Sequence, residues 1–591
     1  MSGTHAQAAA PGQRIPAPED FPVFWADPDD AKRTWQRDPH VTEPLAPLSC
    51  SVSAAILRGF TPAFSQLGLP IRMRIRFLHG YLYAGVIPTA APPEAVLKTI
   101  GAVNRLAPGL VKLLMGRMTA GMTKQQLDRL TPILARLDGY WQDDLLPEIK
   151  EHFAYFQSCE LRGLSLAQLR AHFAESLKRA ERLGELHALA GFSAGVAMSQ
   201  FEDLYGELFA GATPLDALRL LQGFDNQTLA GNRVLWQLSR AALTTPTVRQ
   251  VFAERGAADV IPALEQSGEG RRFLADLRAY LTEYGQRLNV FGGLTALSWI
   301  EDPTPAIACL KAYITRPDTR PEAEQAGLAA EREQAVAQAR AKLAGYPHPI
   351  VTHFETVLKA AQLGVVIKED NHWVIARLFY QMRRLALEFG RRLADSSALE
   401  SVDDVFYLTS EEVLDEGSGT TLPMQERVKE RKAELAQFSH VTPPPLLGTR
   451  PTFELAEGSP VFRAMLKGDG PGSAGSRGDA QTLQGQAGSP GIVRGIARVV
   501  HSLAEAGKLQ PGEVLVAQMT LPPWTPLFAT AAAVVTDTGG VLSHCAIVAR
   551  EYHIPAVVGT GRATKMFQDG QVLEVNGSAG TVRMVASLEE T

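Results

Sequence analysis

The chain has 591 residues, 45% of them apolar and 20% charged, with a formal net charge of −5. That composition describes an ordinary globular chain with room for two to four domains, and the mild acidity gives no ground for nucleic acid or an anionic membrane surface as a partner. Four cysteines, Cys50, Cys159, Cys309 and Cys545, lie far apart without a C-x-x-C spacing, which argues against a disulfide framework and a zinc site and for a reducing cytoplasm.

Residues 1–18 are rich in Ala, Gly, Pro and Gln and lack a basic segment followed by an apolar one, so they read as a disordered lead and not as a signal peptide. No apolar run is expected to span a bilayer. Phe21 to Leu48, with Trp25, Trp35 and His40 among prolines, reads as an extended irregular wrap. Ile71, Met73, Ile75 and Phe77 then alternate with Arg72, Arg74 and Arg76, and His79-Gly80 leads into Tyr81–Val86; this predicts a β-hairpin whose arginines form a solvated face.

From Pro92 the pattern becomes helical and stays so for over three hundred residues. Pro92-Pro93-Glu94 opens one helix, and Leu110–Met122 reads as an apolar core or channel wall. Ser165 with Gln168 forms a capping box, and Leu166, Leu169, Phe173, Leu177 and Ala180 follow at helical spacing, a stripe that continues to His187. Arg320–Leu343 reads as a helix with a solvated, charged face. Pro443-Pro444-Pro445 stops the last helix, and Lys467–Gly485 is dominated by Gly, Ser, Asp and Ala. About twenty such residues behave as a flexible coil with a root-mean-square span of roughly 25 Å. Ala531–Val535 reads as a buried strand, Gly539 and Gly540 break it, and Ser543 caps a helix whose first residue is His544. A helix start offers unpaired N–H groups and the positive end of the dipole, and glycines allow phosphate to approach the backbone.

A histidine after a Gly-Gly turn is by itself more often a structural or capping residue than a catalytic one. Its flanks are more specific. Thr536, Gly539, Gly540, Ser543, His544, Ala546, Ile547, Ala549, Arg550 and Glu551, followed by Ile554–Gly559, resemble the phosphohistidine (swivelling) domain of the dikinase, or PEP-utilising, family. The resemblance covers Ala487 to about Val585, including Gly488-Ser489-Pro490-Gly491, Trp524-Thr525-Pro526-Leu527-Phe528 and Asn576-Gly577. Weaker likenesses over about Phe21–Phe438, among them Leu221–Asn226, Glu301–Pro305, Lys368–Trp373 and Asp403–Leu408, are to the substrate domain of rifampicin and phenol phosphotransferases.

The resemblance implies a multidomain α+β chain: lead 1–18, a mainly helical acceptor-binding domain 19–440, a Pro/Gly-rich linker 441–486 and a C-terminal β/α swivelling domain 487–591. It implies that His544 carries a phosphoryl group, with Arg550, Ser543 and Thr536 as accompanying catalytic residues and Gly539 and Gly540 at the phosphate approach. His40, His187, Glu369, His372 and Trp373, with Trp35, Phe379 and Tyr380, are candidates to enclose an acceptor hydroxyl, although each also fits an ordinary core. No Gly-rich phosphate loop joined to a lysine, and no barrel-length strand and helix alternation, is legible. The expectation is therefore a two-component enzyme: a separate ATP-grasp subunit binds ATP and Mg²⁺, cleaves ATP to AMP and phosphate and loads His544, with no metal held by this chain. The expected acceptor is a small aromatic, phenolic molecule such as a lignin-derived phenol; an antibiotic acceptor and a non-catalytic regulatory role are the alternatives.

Overall fold

The computed structural model describes residues 13–69, 71–88, 124–288, 290, 292–315, 320–415, 423–450, 482–521 and 524–586. The predicted helix start at Pro92, the apolar run Leu110–Met122 and most of the Gly/Ser-rich stretch lie outside them.

Two long helices form the axis of the helical region. The first, Leu166–Leu208, begins at the predicted capping box, in which Ser165 accepts the Gln168 N–H and the Gln168 side chain accepts that of Ser165. The second, His348–Asp395, packs along it. Gly364 makes the approach possible, because a Cβ there would lie 2.8 Å from the Ala194 carbonyl oxygen. Leu169, Phe173 and Leu183 on one helix meet Leu378, Met382 and Phe389 on the other in the main core. By length and composition the second helix is apolar enough to cross a membrane, contrary to the reading of the bare sequence. It is the central helix of a packed core here, and it buries Glu369, Asn371, Arg383 and Glu388.

A five-stranded sheet closes one flank in the order β1 (Arg14–Ile15), β5 (Leu446–Thr449), β2 (Thr34–Arg37), β4 (Tyr81–Pro88), β3 (Ile71–Leu78). The β3–β4 hairpin is as predicted, turning on His79 and Gly80, both at positive φ (50° and 82°). Two of its three arginines are paired and not simply solvated: Arg74 and Arg76 both reach the buried Asp30, while Arg72 is exposed as expected. Three sequence boundaries move. Arg14–Ile15 belongs to a strand and not to a disordered lead; Thr34–Arg37 is a strand inside the supposed irregular wrap; and Leu446–Thr449, inside the supposed linker, pairs with both. Short strands with partners more than 400 residues away carry no local signature of their pairing.

The C-terminal region is an eight-stranded sheet in the order β6 (Thr482–Gln484), β13 (Thr581–Met584), β12 (Val572–Asn576), β8 (Ile492–Val500), β9 (Val514–Ala517), β10 (Ala533–Thr536), β11 (Ala556–Val558), β7 (Gln486–Ser489). Among the described residues its first strand is Thr482–Gln484, within the stretch 441–486 read as linker. The pairs β8–β9, β9–β10 and β10–β11 are parallel. Every residue of β9, β10 and β11 is buried, as expected of parallel strands covered on both faces. The crossover from β10 to β11 contains the helix His544–Glu551, which places His544 beyond the carboxyl end of β10, where open parallel sheets present their ligand sites.

Candidate functional site

The helix His544–Glu551, the carrier helix, forms where the sequence predicts. Ser543 is extended and its hydroxyl accepts the Ala546 N–H at 3.3 Å. Gly539, at φ 104°, makes the turn that a side chain would strain, and a Cβ there would meet the Ser543 hydroxyl oxygen at 3.1 Å. Ser543 is thus occupied in capping. Thr536 is occupied as well, its hydroxyl donating to the Thr538 carbonyl at 2.8 Å. Arg550 turns away from the histidine and donates to the carbonyls of Gly488 (2.6 Å) and Val541 (3.1 Å). Its burial lowers the guanidinium to about 10, which leaves it charged at neutral pH. These three residues build the platform for His544, and their hydrogen bonds serve the backbone and not a phosphate position. Cys545 points into the core, where burial raises its thiol to about 11.

His544 is 3% exposed and touches the helical region. Its Nδ1 lies 2.9 Å from Oε2 of Glu369 on the second long helix, and its Nε2 lies 3.3 Å from the hydroxyl of Thr525, at the start of the short helix Thr525–Phe528. Glu369 is 1% exposed, and its second oxygen, Oε1, is buried with no hydrogen-bond partner. Burial opposes ionisation of Glu369, but His544, His372 and Lys368 outweigh it and hold the carboxyl below its ordinary range. The neighbouring Asp370 accepts the Gln227 N–H at 2.9 Å instead, and burial raises its carboxyl to about 6. With Nδ1–H donating to a carboxylate, the lone pair of His544 resides on Nε2.

The other predicted acceptor residues divide. His372 sits with its ring edge-on to His544, centroids 5.9 Å apart. His187 lies one step back: its Nδ1 is 3.3 Å from the Asn371 carbonyl, and the Asn371 amide donates to the His187 carbonyl at 2.9 Å. Trp373 faces another cluster, edge-on to Tyr284 and beside Arg287. His40 pairs with Asp38 near the five-stranded sheet, Trp35 stacks on Trp25 in that sheet's core, and Phe379 is part of the main core. Glu369, His372 and His544 bring three donor atoms within 4.8 Å of one another, a set able to hold a cation, although sequence reading expects no metal on this chain. An open cavity of about 830 Å³ lies farther along the two long helices, lined by Leu134, Ala197, Leu204, Val357 and Ala360 with the acids Glu202 and Asp203. Ala360 is nine residues from Glu369 on one helix, so the cavity wall begins roughly 13 Å from the histidine contact.

Residues 509–580 match the PEP-utilising enzyme mobile domain, and residues 170–369 match the rifampicin phosphotransferase fourth domain. The chain thus carries a PEP-utilising enzyme mobile domain and a region matching a rifampicin phosphotransferase domain. It is similar to the chondramide synthase of Chondromyces crocatus, with 38% identity over 589 residues, 98% of this chain and 14% of that protein. It is 30% identical over 396 residues to an uncharacterised phosphotransferase of Bacillus subtilis, 66% of this chain and 45% of that protein. A rifampicin phosphotransferase of Streptomyces sviceus is 31% identical over 353 residues, 58% of this chain and 38% of that protein. The chain thus spans less than half the length of each of these relatives.

Two family motifs visible in the sequence contain site residues that sequence reasoning passed over. Thr525, quoted within Trp524–Phe528, faces Nε2 of His544, and Lys368, quoted within Lys368–Trp373, donates to the Leu542 carbonyl at 2.5 Å. Motif membership was their available signal; neither residue type announces the contact it makes.

Proposed function

We propose that the chain is the carrier and acceptor-binding part of an ATP-dependent phosphotransferase, with His544 as the group that takes and gives the phosphoryl. The observation that carries this reading is the pairing of His544 with Glu369 across the two regions: a carrier residue of the mobile domain is seated on the helices that match a phosphotransferase domain. In this reading a nucleotide-binding ATP-grasp module, expected as a separate subunit, binds ATP and Mg²⁺ and loads His544 when the carrier is undocked, releasing AMP and phosphate. The reducing cytoplasm remains the expected setting, consistent with four free cysteines.

The docked geometry supports a direct transfer. The phosphoryl group resides on Nε2, and Glu369 Oε2 holds the Nδ1–H. An acceptor hydroxyl attacks phosphorus in line with the P–N bond, its proton passes to water, a P–O bond forms, and the P–N bond breaks with its electron pair returning to Nε2; Glu369, on the Nδ1 side, stabilises the positive ring of the phosphorylated form. His372 and the hydroxyl of Thr525 stand beside the imidazole, where charge spreads over the phosphoryl oxygens.

The phenolic acceptor rests on sequence resemblance. A specific observation favours the second reading, an antibiotic-type hydroxyl acceptor: the match to the rifampicin phosphotransferase fourth domain, residues 170–369, runs up to Glu369 itself. The test is to mix the chain with candidate nucleotide-binding partners, ATP and Mg²⁺, and follow an acid-labile phosphoryl group on His544. Equal labelling of His544→Ala would sink the carrier reading, and labelling without any partner would overturn the two-subunit arrangement. Phenols and antibiotics presented to the loaded chain then distinguish the acceptors.

A further inference from the structure

The carrier helix is gripped at both ends. At its start are the contacts of His544 and Leu542 with Glu369 and Lys368. At its other end, Glu551 Oε1 accepts the backbone N–H of Gly223 at 3.0 Å, and the Tyr552 hydroxyl accepts from the Asn232 amide at 2.8 Å and lies 3.4 Å from the Tyr313 hydroxyl. His544, Ile547 and Glu551 are spaced i, i+3, i+7 and so share one face of the helix. Ile547 on that face, with Val541 and Leu542 before it, joins the apolar cluster of Leu220, Leu221, Val336 and Val365. None of the contacts at the Glu551 end touches the reacting nitrogen.

The receiving loop is built to present its N–H. Gly223 has φ 72°, and a Cβ there would lie 2.5 Å from the Ala329 nitrogen, so the loop lies flat on the helix Pro321–Lys342 only as glycine. Arg332 on that helix donates to the carbonyls of Gln222 and Gly223 and covers the Phe224 ring, which leaves the Gly223 N–H as the group facing the carrier. The second oxygen of Glu551, Oε2, is buried without a hydrogen-bond partner.

We infer that Glu551 and Tyr552 form a docking latch, which the Gly223 loop and Asn232 read to hold the carrier helix in the register that seats His544 against Glu369. They are positioning residues. The inference rests on the carrier reading above, but its test reads docking and needs no phosphoryl transfer, so the two fail separately.

The experiment measures, on the full chain, the rate at which diethyl pyrocarbonate modifies His544, together with deuterium uptake of peptides spanning 220–226 and 541–552. In the parent chain both peptides and His544 are expected to be protected together. Glu551→Ala should raise His544 modification about tenfold, the scale of one lost hydrogen bond, and raise uptake in both peptides while leaving β9 and β10 protected. Glu551→Gln keeps an oxygen acceptor for Gly223 and should restore protection, a rescue that a general loss of packing would not show. If Glu551→Ala fails to fold, Tyr552→Phe, which removes one oxygen and keeps the ring beside Phe528, carries the same expectation at the 220–226 and 541–552 peptides and His544. Unprotected His544 in the parent chain, unchanged protection in Glu551→Ala or, should that variant not fold, in Tyr552→Phe, or failure of Glu551→Gln to rescue would each overturn the latch.

Discussion

Replacing Glu369 by glutamine separates loading from delivery. Glutamine is nearly isosteric, and its carbonyl oxygen can still accept the Nδ1–H now held at 2.9 Å, so the histidine keeps its tautomer. What is lost is the negative charge beside Nδ1, which stabilises the positive ring of phosphorylated His544 and so makes neutral imidazole the leaving group. A hydrogen bond to a charged group contributes about 1.5–3 kcal/mol, or about 10- to 10²-fold at 1.36 kcal/mol per tenfold. Delivery from phosphorylated His544 to an acceptor should slow by that factor, whereas loading, which occurs with the carrier undocked, should change by less than about threefold. The assay is a single-turnover chase: load the chain with labelled ATP and its partner, remove nucleotide, add acceptor and follow the phosphohistidine. Because Glu369 is held below its ordinary range, parent delivery should show no acid limb from this group down to about pH 5. Delivery by Glu369→Gln at the parent rate would refute this role for Glu369.

Three further outcomes follow from the site. Thr525→Val removes the hydroxyl that lies 3.3 Å from Nε2 and should lower delivery about tenfold with little change in melting temperature, measured by the same chase and by thermal denaturation. Arg550→Ala leaves the Gly488 and Val541 carbonyls without their donor and should destabilise the C-terminal region by about 2–4 kcal/mol in urea titration; a loss of loading with full stability would instead place Arg550 on the phosphate. Burial raises the Glu551 carboxyl to about 7, against the Gly223 N–H and Arg550, so the docked form binds a proton that the unfolded chain releases near 4.5. Stability should therefore fall as pH rises from about 4.5 to about 7, by about 3 kcal/mol from this group, and Glu551→Gln should flatten that slope in pH-dependent denaturation.

The sequence by itself determined the local machinery. Ser543 before His544, the glycine turn, the apolar strand ahead of it and the Ser165–Gln168 box are all satisfied by residues within a few positions, so their spacing is their cause. It also carried the family motifs, which is why His544 could be singled out from thirteen histidines. Only the tertiary structure decided what His544 meets. Glu369, an acceptor candidate from its motif, lies 175 residues away with nothing in the sequence to pair it with Nδ1, and Glu551 finds its donor 328 residues away on a glycine. Arg550 shows the same division: the sequence left it either to stabilise the local helix or to meet the phosphate, and its guanidinium turns to two backbone carbonyls. Periodicity records which face of an element is apolar, but which distant element covers that face is set by packing of the whole chain, and the site lies where two such faces meet.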